Sequence, residues 1–197
     1  MAATVTGAGG RGSAENPAHG RRCRTARLDL VPVGMSDAAS LLRVFTDSDV
    51  RRYLLDGDTV STDWVAEEIR ASTRRFEAGA GGLWVVRRRD QAPIIGFAGF
   101  REFFDPPEPQ LLYGLLPQYW GEGLATEAAT AACEFAFHTL GWSEIRAAID
   151  VPNTASRSVL VRLGFVPDRT TDDGTAFYVL GRDAARLQVV GGFATGT

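Results

Sequence analysis

Apolar and polar residues alternate over positions 24–33, with Leu28, Leu30 and Val33 set against Arg27 and Asp29, and this two-residue period predicts a first strand. Helical spacing follows. Ser36 stands as an N-cap ahead of Ala39, Leu42 and Val44, and the helix runs to about Thr46. Positions 47–53 add a further turn of helix, which Asp56, Gly57 and Asp58 break. Ser61 or Thr62 caps the next helix, bearing Trp64, Val65, Ile69 and Phe76, and Gly79, Gly81 and Gly82 end it. Segments 83–89 and 93–104 read as paired strands with Asp90 and Gln91 at their turn. Gly96 and Gly99 within the second mark a bulge or a close backbone approach.

After a proline-rich loop at 105–109, residues 111–116 are apolar almost throughout, as in a buried central strand. A long helix spans 124–140 and stops at Gly141. Its inner face, Ala128, Ala131, Ala132 and Phe135, is small enough to lie close on a sheet. A strand at 144–151, a helix at 154–163 and strands at 164–167 and 175–180 complete the chain. The order β, α, α, β, β, β, α, β, α, β, β predicts a mixed α/β sheet and not a regular βαβα winding.

Composition narrows the class. A length of 197 residues suggests one domain, expected at 22–187 between a flexible Gly-, Ala- and Ser-rich tail at 1–21 and a C-terminal tail at 188–197. The first tail lacks the apolar stretch of a secretory signal. With 45% hydrophobic and 23% charged residues, collagen-like, disordered and disulfide-scaffold classes are excluded. No apolar run reaches 18 residues, so no membrane helix is expected. A net charge of −3 offers no basic field to nucleic acid. All 21 basic residues are Arg, so no lysine serves as nucleophile, Schiff base or phosphate ligand. Cys23 and Cys133 are too few for a disulfide framework and share no metal spacing with His19 or His138, which leaves no metal site and a reduced, cytoplasmic setting as the reading.

The stretch with chemistry in it is 111–127. A buried strand runs into a glycine-containing loop and then into a helix N-terminus, where exposed backbone N–H groups and the helix dipole suit a phosphate or pyrophosphate without any lysine. Taken alone, Gly121-Glu122-Gly123 is also an ordinary turn. It lacks the third glycine of a dinucleotide fold and the Gly-Lys-Ser/Thr of a P-loop. The longer string Gln118-x-x-Gly121-x-Gly123-x-Ala125 resembles the acyl-CoA pyrophosphate loop of the GCN5-related N-acetyltransferases, the GNAT superfamily. Residues 115–128 are similar to its ribosomal-protein N-terminal branch. So is Asn153-x-x-Ser156 followed by Val159, Arg162 and Leu163-Gly164-Phe165. Thr25-Ala26-Arg27-Leu28 fits that branch's opening strand, and the resemblance covers about residues 24–183.

The resemblance implies a mixed, mostly antiparallel sheet flanked by helices and splayed between strands 4 and 5, here 111–117 and 144–151. The pantetheine arm of acetyl-CoA would enter the splay and pair with backbone at Leu115 and Leu116. Backbone amides of Gln118, Gly121, Glu122, Gly123, Leu124 and Ala125 would hold the pyrophosphate, with a hydroxyl from Thr126. Asn153 would bind the pantetheine, Arg162 the adenosine 3′-phosphate, and Ser156 the departing thiolate. Asn153 is equally a plain N-cap, and Arg162 a solvated helix charge. Gln110 and Leu160 replace the Glu base and Tyr acid that many members carry. Glu102, Asp105, Tyr113 and Asp150 are candidate proton acceptors. The catalytic set is therefore Ser156, Asn153 and Tyr113.

The implied activity is transfer of an acetyl group from acetyl-CoA to a protein N-terminal or small-molecule primary amine by direct attack. The acceptor region is expected at 47–75 and 105–109, where Asp47, Asp49, Asp56, Asp58 and Asp63 suit a cation and several Arg partly cancel the field. Two alternatives stand beside it: a non-catalytic acyl-CoA-binding module, and a nucleotide- or phosphate-binding protein. The expected partners are acetyl-CoA and an amine, with no nucleic acid and no membrane. A homodimer is compatible with the resemblance.

Overall fold

The computed structural model describes residues 19–184. Positions 1–18 of the expected N-terminal tail, the last three residues of the expected domain (185–187) and the whole expected C-terminal tail (188–197) lie outside the described residues. His19–Arg21 forms a 3-10 turn, and the Arg21 carbonyl accepts the indole N–H of fully buried Trp84 at 2.5 Å.

Among the described residues, eight strands form one sheet in the order β1-β2-β3-β4-β5-β6-β8-β7. They are β1 (Cys23–Arg24), β2 (Leu28–Pro32), β3 (Leu83–Arg88), β4 (Ile94–Phe103), β5 (Glu108–Leu115), β6 (Glu144–Asp150), β7 (Val166–Thr170) and β8 (Thr175–Gly181). The helices are α1 (Ala38–Thr46), α2 (Ser48–Arg51), α3 (Thr62–Glu77), α4 (Leu124–His138) and α5 (Thr154–Leu163). All strand pairs are antiparallel except β5 with β6, which the α4 crossover makes parallel. The expected mixed, mostly antiparallel architecture is what the chain adopts.

Three local differences have physical causes. The first predicted strand is two, because Thr25 closes a tight turn: its backbone N–H donates to the Leu28 carbonyl at 2.9 Å, and the Leu28 N–H donates back to the Thr25 hydroxyl at 2.9 Å. Ser36 does not cap α1. Asp37 reaches back to the Gly34 N–H at 3.0 Å, and the helix is entered through a 3-10 turn at Met35–Asp37. The loop expected at 105–109 shrinks, since pairing continues out to Phe103 opposite Glu108. Ser61 does cap α3, accepting the Trp64 N–H at 3.1 Å.

Two apolar cores lie on opposite faces of the sheet. One, under α4 and α5, holds Trp84, Phe100, Phe135 and the buried alanines of α4. The other, under α1 and α3, holds Phe45, Val65, Ile69 and Phe97. Ala128, Ala129, Ala132 and Ala136 are fully buried, so α4 beds directly on the strands. Gly96 permits a close approach within the sheet: a Cβ there would stand 2.1 Å from the Gly114 carbonyl. The bulge expected near it lies one residue away. Val86 faces Gly96 while Arg87 faces Ile94, so Ile95 is the extra residue.

Candidate active site

β5 and β6 pair at a single position, Gln110 opposite Arg146, at the start of both strands. Beyond it they part, and a cavity of about 560 Å³ opens between their C-terminal ends. The splay expected between the strands at 111–117 and 144–151 is therefore present. The Leu116 N–H donates to Ile95 on β4 at 2.9 Å. Strand alternation then turns the peptide groups of Tyr113 and Leu115 away from β4, into the cleft. Both residues border the cavity, with Ala148 and Ile149 of β6 on the other wall.

At one end of the cavity lies the loop that enters α4. Gly121 and Gly123 take left-handed conformations, φ 77° and 76°, which side chains resist. Gly123 is the N-cap of α4 and brings no capping side chain, so the first amides of the helix have no side-chain acceptor. Gly121, Gly123, Leu124, Ala125 and Thr126 all border the cavity. The result is a ring of N–H donors at the positive end of a 15-residue helix, a site that accepts an anion without a basic side chain.

The back of this loop is strapped to the sheet. The Glu127 carboxylate accepts the Thr25 hydroxyl at 2.6 Å, the Arg27 backbone N–H at 2.9 Å and the Arg27 Nε at 2.6 Å. Arg27 Nη1 donates to the Glu122 carbonyl at 2.9 Å. The Glu122 carboxylate is paired with Arg88, whose guanidinium also lies over the Tyr119 ring. Burial alone would raise the Glu127 pKa, but the bonds from Thr25 and Arg27 outweigh it and hold the carboxyl below its ordinary value.

At the opposite wall Asn153 caps α5, its Oδ1 accepting the Ser156 N–H at 3.1 Å. The N-cap reading of Asn153 is thus realised, while the residue also borders the cavity. Ser156 sits half-buried in the first turn of α5, on the cavity wall. Its backbone carbonyl accepts the Tyr113 hydroxyl at 3.1 Å, a strut across the cleft from β5 to α5. Burial drives the Tyr113 pKa well above the ordinary phenol range. Arg162, in the last turn of α5, borders the cavity from an exposed position.

Three residues named from the sequence for cofactor binding do not border it. Leu116 is buried in the core under α1 and α3, Gln118 is exposed, and Glu122 is drawn outward by Arg88. Trp120, half-exposed, lines the cavity and its indole N–H donates to the Leu115 carbonyl at 2.6 Å. Of the candidate proton acceptors, Tyr113 borders the cavity, whereas Glu102, Asp105 and Asp150 do not. Within the expected acceptor region only α2 and the residues after it reach the cavity, through Asp49, Val50, Arg52, Tyr53 and Leu54. Asp49 pairs with Arg52 at 3.3 Å, and both are exposed. The arginines of α3 are turned elsewhere: Arg70 and Arg74 bind Glu67, and Arg75 binds Glu68.

Sequence reasoning missed the strap. Thr25 and Arg27 stood in a quoted motif and Glu127 closed the loop phrase, but nothing local says that positions about a hundred residues apart meet.

Comparison with known proteins converges on one family. The model of the acetyltransferase (GNAT) domain matches residues 27–166. An uncharacterized N-acetyltransferase of Bacillus subtilis, YoaA, is 28% identical over 142 residues, spanning 72% of this chain and 80% of that one. The crystal structure of an acetyltransferase from Agrobacterium tumefaciens superposes with a TM-score of 0.71 at 23% identity, over 82% of this chain and 94% of that one. RimL, a ribosomal L7/L12 alpha-N-protein acetyltransferase solved in complex with coenzyme A, has the same fold. Its TM-score is 0.69 at 14% identity, over 83% of this chain and 99% of that one.

Proposed function

The chain belongs to the GNAT acetyltransferase family and is an N-acetyltransferase, and on that premise we propose how its cleft divides the work of moving an acetyl group from acetyl-CoA to a primary amine. One observation carries the reading: the cleft opens where β5 and β6 part, and the uncapped N-terminus of α4 closes one end of it. The pyrophosphate of acetyl-CoA lies on the amides from Gly121 to Thr126, and the pantetheine arm lies against the peptide groups of Tyr113 and Leu115. Arg162 meets the adenosine end. The thioester then falls beside Ser156. The amine enters from the α2 side, past Asp49, Arg52 and Tyr53.

The chemistry follows from that arrangement. The acceptor arrives as an ammonium, with a pKa of about 10 for an alkyl amine and about 8 for a peptide N-terminus, and must lose a proton before its nitrogen can attack. Asp49, the carboxylate on the cavity wall, receives the ammonium, and the proton leaves through water. The nitrogen lone pair forms a bond to the acetyl carbon, the C–S bond breaks, and the proton the nitrogen sheds on becoming an amide passes through water to the departing sulfur, which leaves as the CoA thiol. The Ser156 hydroxyl, in the first turn of α5, donates to the departing thiolate, aided by the positive end of the helix. Holding both reactants in one cleft supplies up to roughly 7–11 kcal/mol through positioning alone, with no covalent enzyme intermediate. Two buried, unpaired thiols, Cys23 and Cys133, agree with a cytoplasmic setting.

The test is calorimetric titration with acetyl-CoA beside ADP and NAD, followed by an amine panel read as release of the CoA thiol. Tight binding of acetyl-CoA with thiol release to at least one amine is expected. Preference for ADP or NAD, or acetyl-CoA binding with no release across peptide N-termini and small amines, overturns the reading.

A further inference from the structure

We infer that Arg27, held by Glu127, is a positioning residue that sets the direction of the pyrophosphate-binding amides; the inference rests on the acyl-CoA reading above. Two glycines in the left-handed region leave a loop with little preference of its own, since glycine visits positive and negative φ about equally. Contacts must therefore choose the conformation. Arg27 supplies one: its Nη1 takes the Glu122 carbonyl. The peptide unit is planar and trans, so its C=O and N–H point in opposite directions. Turning the Glu122 carbonyl out toward Arg27 turns the Gly123 N–H in, toward the cavity that Gly123 borders. Arg27 itself does not border that cavity, so it acts through the loop and not on the ligand.

Glu127 makes the clamp rigid. The Thr25 hydroxyl, the Arg27 backbone and the Arg27 Nε all converge on its carboxylate, and its side chain is only 12% exposed. This orients the planar guanidinium so that Nη1 is aimed at the loop. The pairing also has an electrostatic effect. A free carboxylate in the first turn of α4 would repel a pyrophosphate at that terminus. Arg27 neutralises it from the back of the loop, leaving the inward face to the amides. A lysine at position 27 cannot do both, because a single ammonium lacks the fork that spans a carboxylate and a carbonyl.

The experiment compares two acetyl donors: acetyl-CoA, and S-acetylpantetheine, which lacks the pyrophosphate. The catalytic efficiency is measured for each donor in the unaltered protein and in Arg27→Ala, Arg27→Lys and Glu127→Gln. Loss of one charge-assisted clamp is expected to lower the acetyl-CoA to S-acetylpantetheine efficiency ratio about tenfold in Arg27→Ala, with a similar fall in Arg27→Lys. It should appear in KM for acetyl-CoA and not in kcat. If Arg27→Ala fails to fold by circular dichroism, Glu127→Gln, which keeps one acceptor oxygen and sets an amide NH2 against the remaining donor, carries the test with a smaller fall in the same ratio. An unchanged ratio, an equal loss with both donors, or full rescue by Arg27→Lys overturns the clamp while leaving the acetyltransferase reading intact. An unaltered protein that uses neither donor overturns both.

Discussion

The two ends of the cleft are built from different materials. At the α4 end the donors are backbone amides, aimed by two left-handed glycines and strapped from behind by a carboxylate that accepts three hydrogen bonds. At the α2 end the contacts are side chains, Asp49, Arg52 and Tyr53, standing exposed on and just after a helix of four residues. The first end is insensitive to most substitutions, because every residue but proline brings the same N–H group. It is acutely sensitive to the few that alter loop conformation. The second end is redrawn by any single exchange. A ligand part that never varies suits the first kind of surface, and an acceptor that distinguishes one member of a family from another suits the second.

The sharpest way to break this contrast is Gly123→Val. A β-branched residue at φ 76° costs roughly 1–3 kcal/mol of backbone strain and displaces the amides it was meant to present. Calorimetry should find acetyl-CoA affinity lowered about a hundredfold or more, taking strain and lost donors together. Near-normal binding would show that the loop is not the anion site.

Ser156→Ala probes the middle of the cleft. Removing one donor from the departing thiolate should lower kcat about tenfold to a hundredfold while KM for acetyl-CoA stays within a factor of two. An unchanged kcat would move the thiolate's support to the α5 dipole alone.

At the far end, Asp49→Asn should raise KM for the amine by about fivefold at most, since an exposed charge contributes little, and added salt should shrink the difference. KM for acetyl-CoA should not move. A change in the acetyl-CoA value would mean that the two ends are not separable.

The smallest effect is one of pH. Glu127 sits below its ordinary carboxyl pKa of 4.5 in the folded chain. The unfolded chain therefore takes up its proton first as pH falls. The stability this group contributes is fully present above about 4.5 and is lost as pH drops through the folded value. Thermal melting from pH 6 down to pH 3 should show the gap between the unaltered protein and Glu127→Gln narrowing below that point. A constant gap would mean that Glu127 is not held as an anion.

Much of the fold was legible locally. Period-2 and helical spacings place β3, β4, β6, β8, α3 and α5 close to their observed bounds, because those elements bury one face on a continuous core. The errors sit where side chains compete with local pattern. Thr25 closes a turn inside what reads as one strand, and Asp37 displaces Ser36 at the start of α1. At the site, Gly121, Gly123, Thr126, Asn153, Ser156 and Arg162 were named from the sequence and all meet at one cavity. Glu122 and Leu116 were named with them for their backbone groups; their side chains are held by Arg88 and by the second core.

What the sequence determined by itself was everything that depends on spacing along the chain: the strand that runs into a Gly-x-Gly turn, the helix that starts uncapped, the Asn that caps the next one, and through these the family. What only the tertiary structure decided was which distant residues serve them. The α4 crossover makes β5 and β6 parallel neighbours that touch once and then part, and the cleft exists only because of that divergence. The β1–β2 turn comes to lie behind the loop because α4, packed over β4 and β5, also meets β1 and β2, which lets Thr25 and Arg27 reach Glu127 across about a hundred residues of chain. Local spacing encodes backbone conformation. The partners that hold that conformation in place are chosen by sheet order, which no short stretch of sequence contains.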